Sequence, residues 1–264
     1  MVGKRLSSVL SHAANAISAF VDQWDLAMSA AGEDRSSPSA HALLPARLVA
    51  GYEDFLGGRF RREQDRYGQL AKTGQKPKVL LIGCCDSRVS PEVIFDAGPG
   101  EIFVVRNVAN LVPPYAPNDD LHGTSAALEF AVLSLAVEHI VVMGHASCGG
   151  VRAFVDNAGE APPPGDFIGH WMSLIKPAAE RVGPPEAPLD LYAERLAKAS
   201  IIHTLANLRT FPYVRERETH GQLALHGAYF GVADGRLLAL DEKSGEFLPI
   251  SEAAHAKAFA TPRF

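Results

Sequence analysis

Apolar residues recur along this chain at two periods, and the alternation between them sets out the fold. Leu6, Val9, Leu10, Ala13, Ile17, Phe20, Val21 and Trp24 stand at helical spacing and predict an amphipathic helix with one apolar stripe. Such a face must be covered, by the body of the protein or by a partner subunit. Residues 31–45 are rich in Ser, Pro, Ala and Gly and predict a linker. Helical patterns follow over residues 45–57 and 59–71.

The pattern then changes. Val79-Leu80-Leu81-Ile82-Gly83 is a short apolar run ending in glycine, as expected of a buried strand in a parallel sheet, and Glu138-His139-Ile140-Val141-Val142-Met143-Gly144 repeats the pattern. Residues 101–106 predict another strand, and helices are expected over 123–136, from about Val151, and over 189–208. Residues 223–230 and 236–240 flank Asp234-Gly235, a hairpin signal. The expected fold is α/β: a mostly parallel central sheet with an antiparallel edge strand, flanking helices and an amino-terminal helical extension. Residues 1–45 are expected to form the extension and linker, and residues 46–264 the α/β domain itself.

The two strand runs deliver chemistry to the same edge. The first ends at Cys84 and the second at His145, with Cys148 three residues on. Open α/β sheets keep their sites at the carboxyl ends of their strands. Two thiolates and an imidazole are a soft zinc set, and three protein ligands leave a fourth position open, as in catalytic rather than structural sites. Water at that position becomes a nucleophile near neutral pH. A helix starting after Gly149-Gly150 would favour thiolate at Cys148. Cys85, next to Cys84 on an extended chain, faces away from the metal. Asp86 and Arg88 lie two apart, so an arginine fork can hold the carboxylate beside the site.

Three stretches, Cys84-Cys85-Asp86-Ser87-Arg88-Val89, Arg106-Asn107-Val108-Ala109-Asn110 and Gly144-His145-Ala146-Ser147-Cys148-Gly149-Gly150, resemble the β-class carbonic anhydrases, and in that family's order. The resemblance runs from about Leu48 to Glu246. It implies one zinc ion per chain and reversible hydration of carbon dioxide to bicarbonate and a proton. It also implies that Asp86 orients the nucleophile and Arg88 orients Asp86. By the same matching, Gln75, Phe103, Phe130, Val108 and Gly149 take substrate-pocket positions, with phenylalanine at 130 where the plant enzymes have tyrosine. Gln75, together with Ala146-Ser147 between the second and third ligands, resembles the plant-type branch, in a bacterial member. The family further implies a homodimer or a larger assembly of dimers, with Gln75 reaching the neighbouring subunit's zinc. Hydrolysis of carbon disulfide or carbonyl sulfide on the same site is an alternative, as is a zinc-binding module that has lost catalysis. The proton carrier is not fixed by the resemblance; His122 and His170 are candidates only because histidine titrates near neutrality.

Composition narrows the partners. With 47% hydrophobic residues among 264, the chain can bury a full core. Its 25 Lys and Arg against 30 Asp and Glu leave a net charge of −5, without the basic cluster that nucleic acid requires. No apolar run is long enough to span a membrane. Three cysteines in or beside a metal motif suit a reducing compartment, so the expected location is the cytoplasm.

Overall fold

The computed structural model describes residues 43–118, 120–157 and 167–250. The predicted helix over residues 6–24 and the linker up to residue 42 lie outside them. Packing groups the chain into two units, one ending at Glu63 and the other beginning at Gln64. In the first, α1 spans Ala46–Phe55. The two helical patterns run on into one another, with residues Leu56–Phe60 forming a π turn before α2 at Arg61–Thr73.

The second unit is built on six strands: β1 Val79–Cys84, β2 Ile102–Asn107, β3 His139–His145, β4 Ala224–Phe230, β5 Leu237–Asp241 and β6 Glu246–Pro249. Their order is β2-β1-β3-β4-β5-β6. The pairs β1–β2, β1–β3 and β3–β4 are parallel, and β4–β5 and β5–β6 antiparallel. The parallel core and antiparallel edge agree with the sequence pattern. β6 is an addition: four residues ending in proline carry too little periodicity to announce a strand. Its turn is closed by Asp241, whose carboxylate accepts from the Lys243 amide and the Ser244 hydroxyl.

The helices of this unit are α3 Pro91–Ile94, α4 Gly123–Glu129, α5 Gly149–Asp156, α6 Ile168–Met172, α7 Lys176–Val182, α8 Leu189–Leu208 and α9 Pro212–Thr219. The predicted helix over 123–136 is shorter: α4 gives way to a π turn at Phe130–Ser134. The main core joins Leu80, Ile82, Ile140 and Val142 of the sheet to Phe154 of α5 and Leu196, Ile201 and Leu205 of α8, all buried. A smaller cluster of Leu81, Met143 and Ala228 lies on other positions of the same strands, as the two-residue alternation of strands requires.

Gly144 lets α8 approach β3 just before His145. A Cβ there would meet Ile201 Cδ1 at 2.8 Å, closer than packed carbons come. Phe154 is fully buried behind the site-bearing turn. Phe154→Ala should lower unfolding stability by about 3–5 kcal/mol through lost contacts and an unfilled cavity, read as a shift in the urea midpoint at constant slope; a change under about 1 kcal/mol would show that the core does not depend on this ring.

Candidate zinc site

The strand ends bring the three predicted ligands together. β1 ends at Cys84, paired with Asn107 at the end of β2. β3 ends at His145, and Cys148 caps the amino terminus of α5 in an extended conformation. The intervening Ser147 has φ +55°, the left-handed turn that folds Cys148 back toward His145. All three residues are buried, and their ligand atoms lie within 4.8 Å of one another.

The donor set fits zinc. Cys84 Sγ and Cys148 Sγ are 3.9 Å apart, against about 3.8 Å expected across a tetrahedral ion with 2.3 Å bonds to sulfur. His145 Nδ1 lies 2.9 Å from the Ala146 carbonyl and donates to it, which leaves Nε2 as the nitrogen with a lone pair. That Nε2 is buried and has no hydrogen-bond partner, an expensive state unless a metal takes the lone pair.

Backbone amides prepare both sulfurs as thiolates. Cys148 accepts from the amides of Gly150 and Val151 in the first turn of α5. Cys84 accepts from the amides of Asp86 and Ala109. The two sulfurs are coupled: the hydrogen bond from Cys148 lowers the Cys84 thiol, and the same bond, with burial, pushes the Cys148 thiol up. A dication between them removes the conflict.

Asp86 stands beside this cluster with both oxygens held. Arg88 donates from its amide to Oδ1 at 3.0 Å, from Nε to Oδ1 at 2.9 Å and from Nη2 to Oδ2 at 2.7 Å. These bonds hold the carboxyl well below the usual carboxylate range. Arg88 Nη2 also reaches the Ser147 carbonyl at 3.0 Å, tying the dyad to the turn between His145 and Cys148. Asp86 Oδ2 lies 4.0 Å from His145 Nε2.

Several supporting residues carried no assigned role in the sequence. Arg106 donates to the carbonyls of Cys84 and Asp86 and so holds the loop between ligand and dyad. The Asn107 side chain brackets the next turn, accepting from the Leu111 amide and donating to the Leu111 carbonyl. That turn puts Ala109 at φ +62° and its amide against Cys84. The signal was present, since Arg106 to Asn110 stood out as a motif, but only register reveals that it braces β1.

The predicted pocket residues separate into two groups. Val108 and Gly149 belong with the ligands, Val108 Cγ1 lying 2.9 Å from where a Cβ of Gly150 would be. Phe103 sits near the other end of β2, beside Leu80, and its ring is 6.0 Å from that of Phe130. Gln75 precedes β1 altogether, in a cleft of about 930 Å³ that Ser134, Leu135, His139, Arg217 and Gln222 also line. The length of β1 alone puts about 17 Å between that edge and Cys84. Phe130, beside Phe103, is 46% exposed. His122 and His170 are both exposed, and neither is among the zinc ligands. Among the described residues no helix is long and apolar enough to cross a membrane.

A thiolate-imidazole cluster at the carboxyl edge of a parallel sheet, with an anchored carboxylate beside an open side, defines a zinc enzyme of the α/β class. Residues 79–237 match the family model described as carbonic anhydrase. Beta carbonic anhydrase 3 of Arabidopsis thaliana is 37% identical over 194 residues, 72% of this chain and 74% of that protein. Among solved structures, the β-carbonic anhydrase CcaA superposes with a TM-score of 0.67 at 31% identity, covering 78% of this chain and 91% of that one. Two tetrameric β-carbonic anhydrases from Sordaria macrospora are represented at TM-score 0.64 and 30% identity, over 74% of this chain and 95% of theirs. The chain belongs to the β-class carbonic anhydrases, zinc-dependent lyases that interconvert carbon dioxide and bicarbonate.

Proposed function

We propose that this chain is a plant-type β-carbonic anhydrase whose working site is shared between two subunits. The observation that carries the chemistry is the position of Asp86, clamped by Arg88 at 2.7–3.0 Å and 4.0 Å from the unpartnered Nε2 of His145. Cys84, His145 and Cys148 would hold zinc, which when bound supplies the Lewis acidity that makes water nucleophilic near neutral pH. Asp86 accepts a hydrogen bond from the attacking oxygen and so aims its lone pair at carbon dioxide. Arg88 occupies both carboxylate oxygens, which keeps Asp86 turned toward that role and away from the metal. Val108 supplies an apolar wall, and the Gly149 amide a donor for the bicarbonate oxygen. The intact dyad favours hydration over a module that has lost catalysis.

The shared site rests on distance. Gln75, Phe103 and Phe130 lie toward the far edge from their own Cys84, so they serve the zinc of a neighbouring subunit. A homodimer is then the smallest working unit, and the tetrameric Sordaria relatives support larger assemblies of dimers. Residues 46–264 would form the catalytic domain and residues 1–45 a helical extension. The metal-site cysteines support a reducing, cytoplasmic setting.

Stopped-flow hydration of carbon dioxide by zinc-loaded protein tests the activity. The sharing is tested by mixing Gln75→Ala with Cys148→Ser protein under conditions that exchange subunits. In a mixed dimer the intact zinc of the Gln75→Ala chain receives a wild-type glutamine, so activity should exceed that of either parent. No recovery despite verified exchange, or full activity from a sedimenting monomer, would overturn it.

A further inference from the structure

The cleft that holds Gln75 also leads to a pair of histidines on neighbouring strands. His139 opens β3 and lines the cleft. His226 lies on β4, level with Val141. His139 Nδ1 and His226 Nε2 are 3.1 Å apart, with ring centroids at 5.3 Å. At that separation one nitrogen carries a hydrogen and the other accepts it, so the neutral pair is a hydrogen-bonded unit with two further ring nitrogens at its ends.

We propose that His139 and His226 form a two-histidine relay that carries the hydration proton from the neighbouring subunit's zinc site to buffer. The placement rests on the shared-site reading. His139 is six residues before His145 on one strand, about 20 Å from its own chain's metal site, whereas it shares a cleft with the Gln75 proposed to reach the neighbour's. Carbon dioxide hydration releases one proton per turnover, and imidazole takes and gives protons near neutrality.

The step balances with two neutral rings at start and finish. A proton arrives at His139 Nε2, and the Nδ1 proton passes to His226 Nε2. His226 then releases its Nδ1 proton to buffer. The hydrogen bond is left reversed in polarity and resets when the exposed pair opens and each ring exchanges its Nε2 proton for one on Nδ1 through water, with no proton passing back between the rings. The charged groups around the pair do not lock it. Lys78 is paired with Glu138 at the head of β3, and Arg217 donates to the carbonyls of Val132 and Gln222. Asp241 is engaged within its own turn, and Glu242 is paired with Arg209. His226 itself titrates below the usual histidine range, mainly through burial and then through His139, which favours quick release of the proton.

The test compares His139→Asn and His226→Asn with the parent enzyme in stopped-flow hydration at low and high buffer. At low buffer kcat should fall by about tenfold in either variant, less than the full contribution of a positioned acid-base group because solvent still accepts protons. The value of kcat/KM, which reports attack on carbon dioxide, should hold, and added imidazole should restore kcat. Unchanged kcat at low buffer in both variants would overturn the relay. So would a parallel loss of kcat/KM that imidazole does not restore, since that marks a structural role. Mixing His139→Asn with Cys148→Ser protein separates the two proposals. Low-buffer kcat should recover; recovery in the Gln75 mixture but not in this one rejects the relay alone, while recovery in neither rejects the shared site and the relay's placement with it.

Discussion

Cys148→Ser is expected to reduce zinc to well below one ion per chain and hydration to the buffer background. A serine hydroxyl stays protonated where the thiol ionises, so the amides of Gly150 and Val151 would face a poor acceptor and the metal would lose a charged ligand. Cys84→Ser should behave alike. Cys85→Ser should retain metal, because Cys85 is exposed while its neighbour enters the cluster. Metal analysis of the three purified proteins decides the assignment. Zinc lost from Cys85→Ser and kept by Cys84→Ser would reverse it.

Asp86→Asn should lower hydration by roughly a hundredfold or more, the scale of a positioned acid-base partner, with zinc content unchanged. The amide is nearly isosteric, but it replaces one acceptor oxygen with a donor that opposes Arg88. Arg88→Ala should have a similar effect by releasing Asp86 from its orientation. The pH profile gives an independent check. A carboxyl held low by the Arg88 hydrogen bonds contributes its stabilisation fully above the unfolded value of about 3.9 and loses it only as pH falls through the lower folded value. Asp86 is therefore ionised throughout the neutral range, and rate changes there must arise elsewhere in the site. Near-wild-type hydration by zinc-replete Asp86→Asn would remove the role assigned to this residue.

Much of this site was legible because strand ends are. A buried apolar run closed by glycine fixes both a strand and the residue that emerges from it, which puts Cys84 and His145 at one edge from the sequence pattern alone. The Asp86 and Arg88 clamp was equally readable, since two residues in an extended loop share a side. The bracing by Arg106 and Asn107 was not, because its partners are carbonyls brought near by β1–β2 register, which local pattern does not encode. The same holds for His139 and His226, 87 positions apart in sequence. The π turns at Leu56 and Phe130 were missed for a different reason: their residues have ordinary helical spacing, and only the hydrogen-bond offset changes.

Strand β1 acts as a ruler. With Cys84 at one end of β1 and Gln75 beyond the other, about 17 Å of strand separates them within one chain, so the proposed shared site needs a second chain. Dilution should therefore silence the enzyme before it unfolds: separated chains would keep their metal and their circular dichroism while specific activity fell with total concentration. Potency in a dilute assay becomes a measure of association as much as of chemistry.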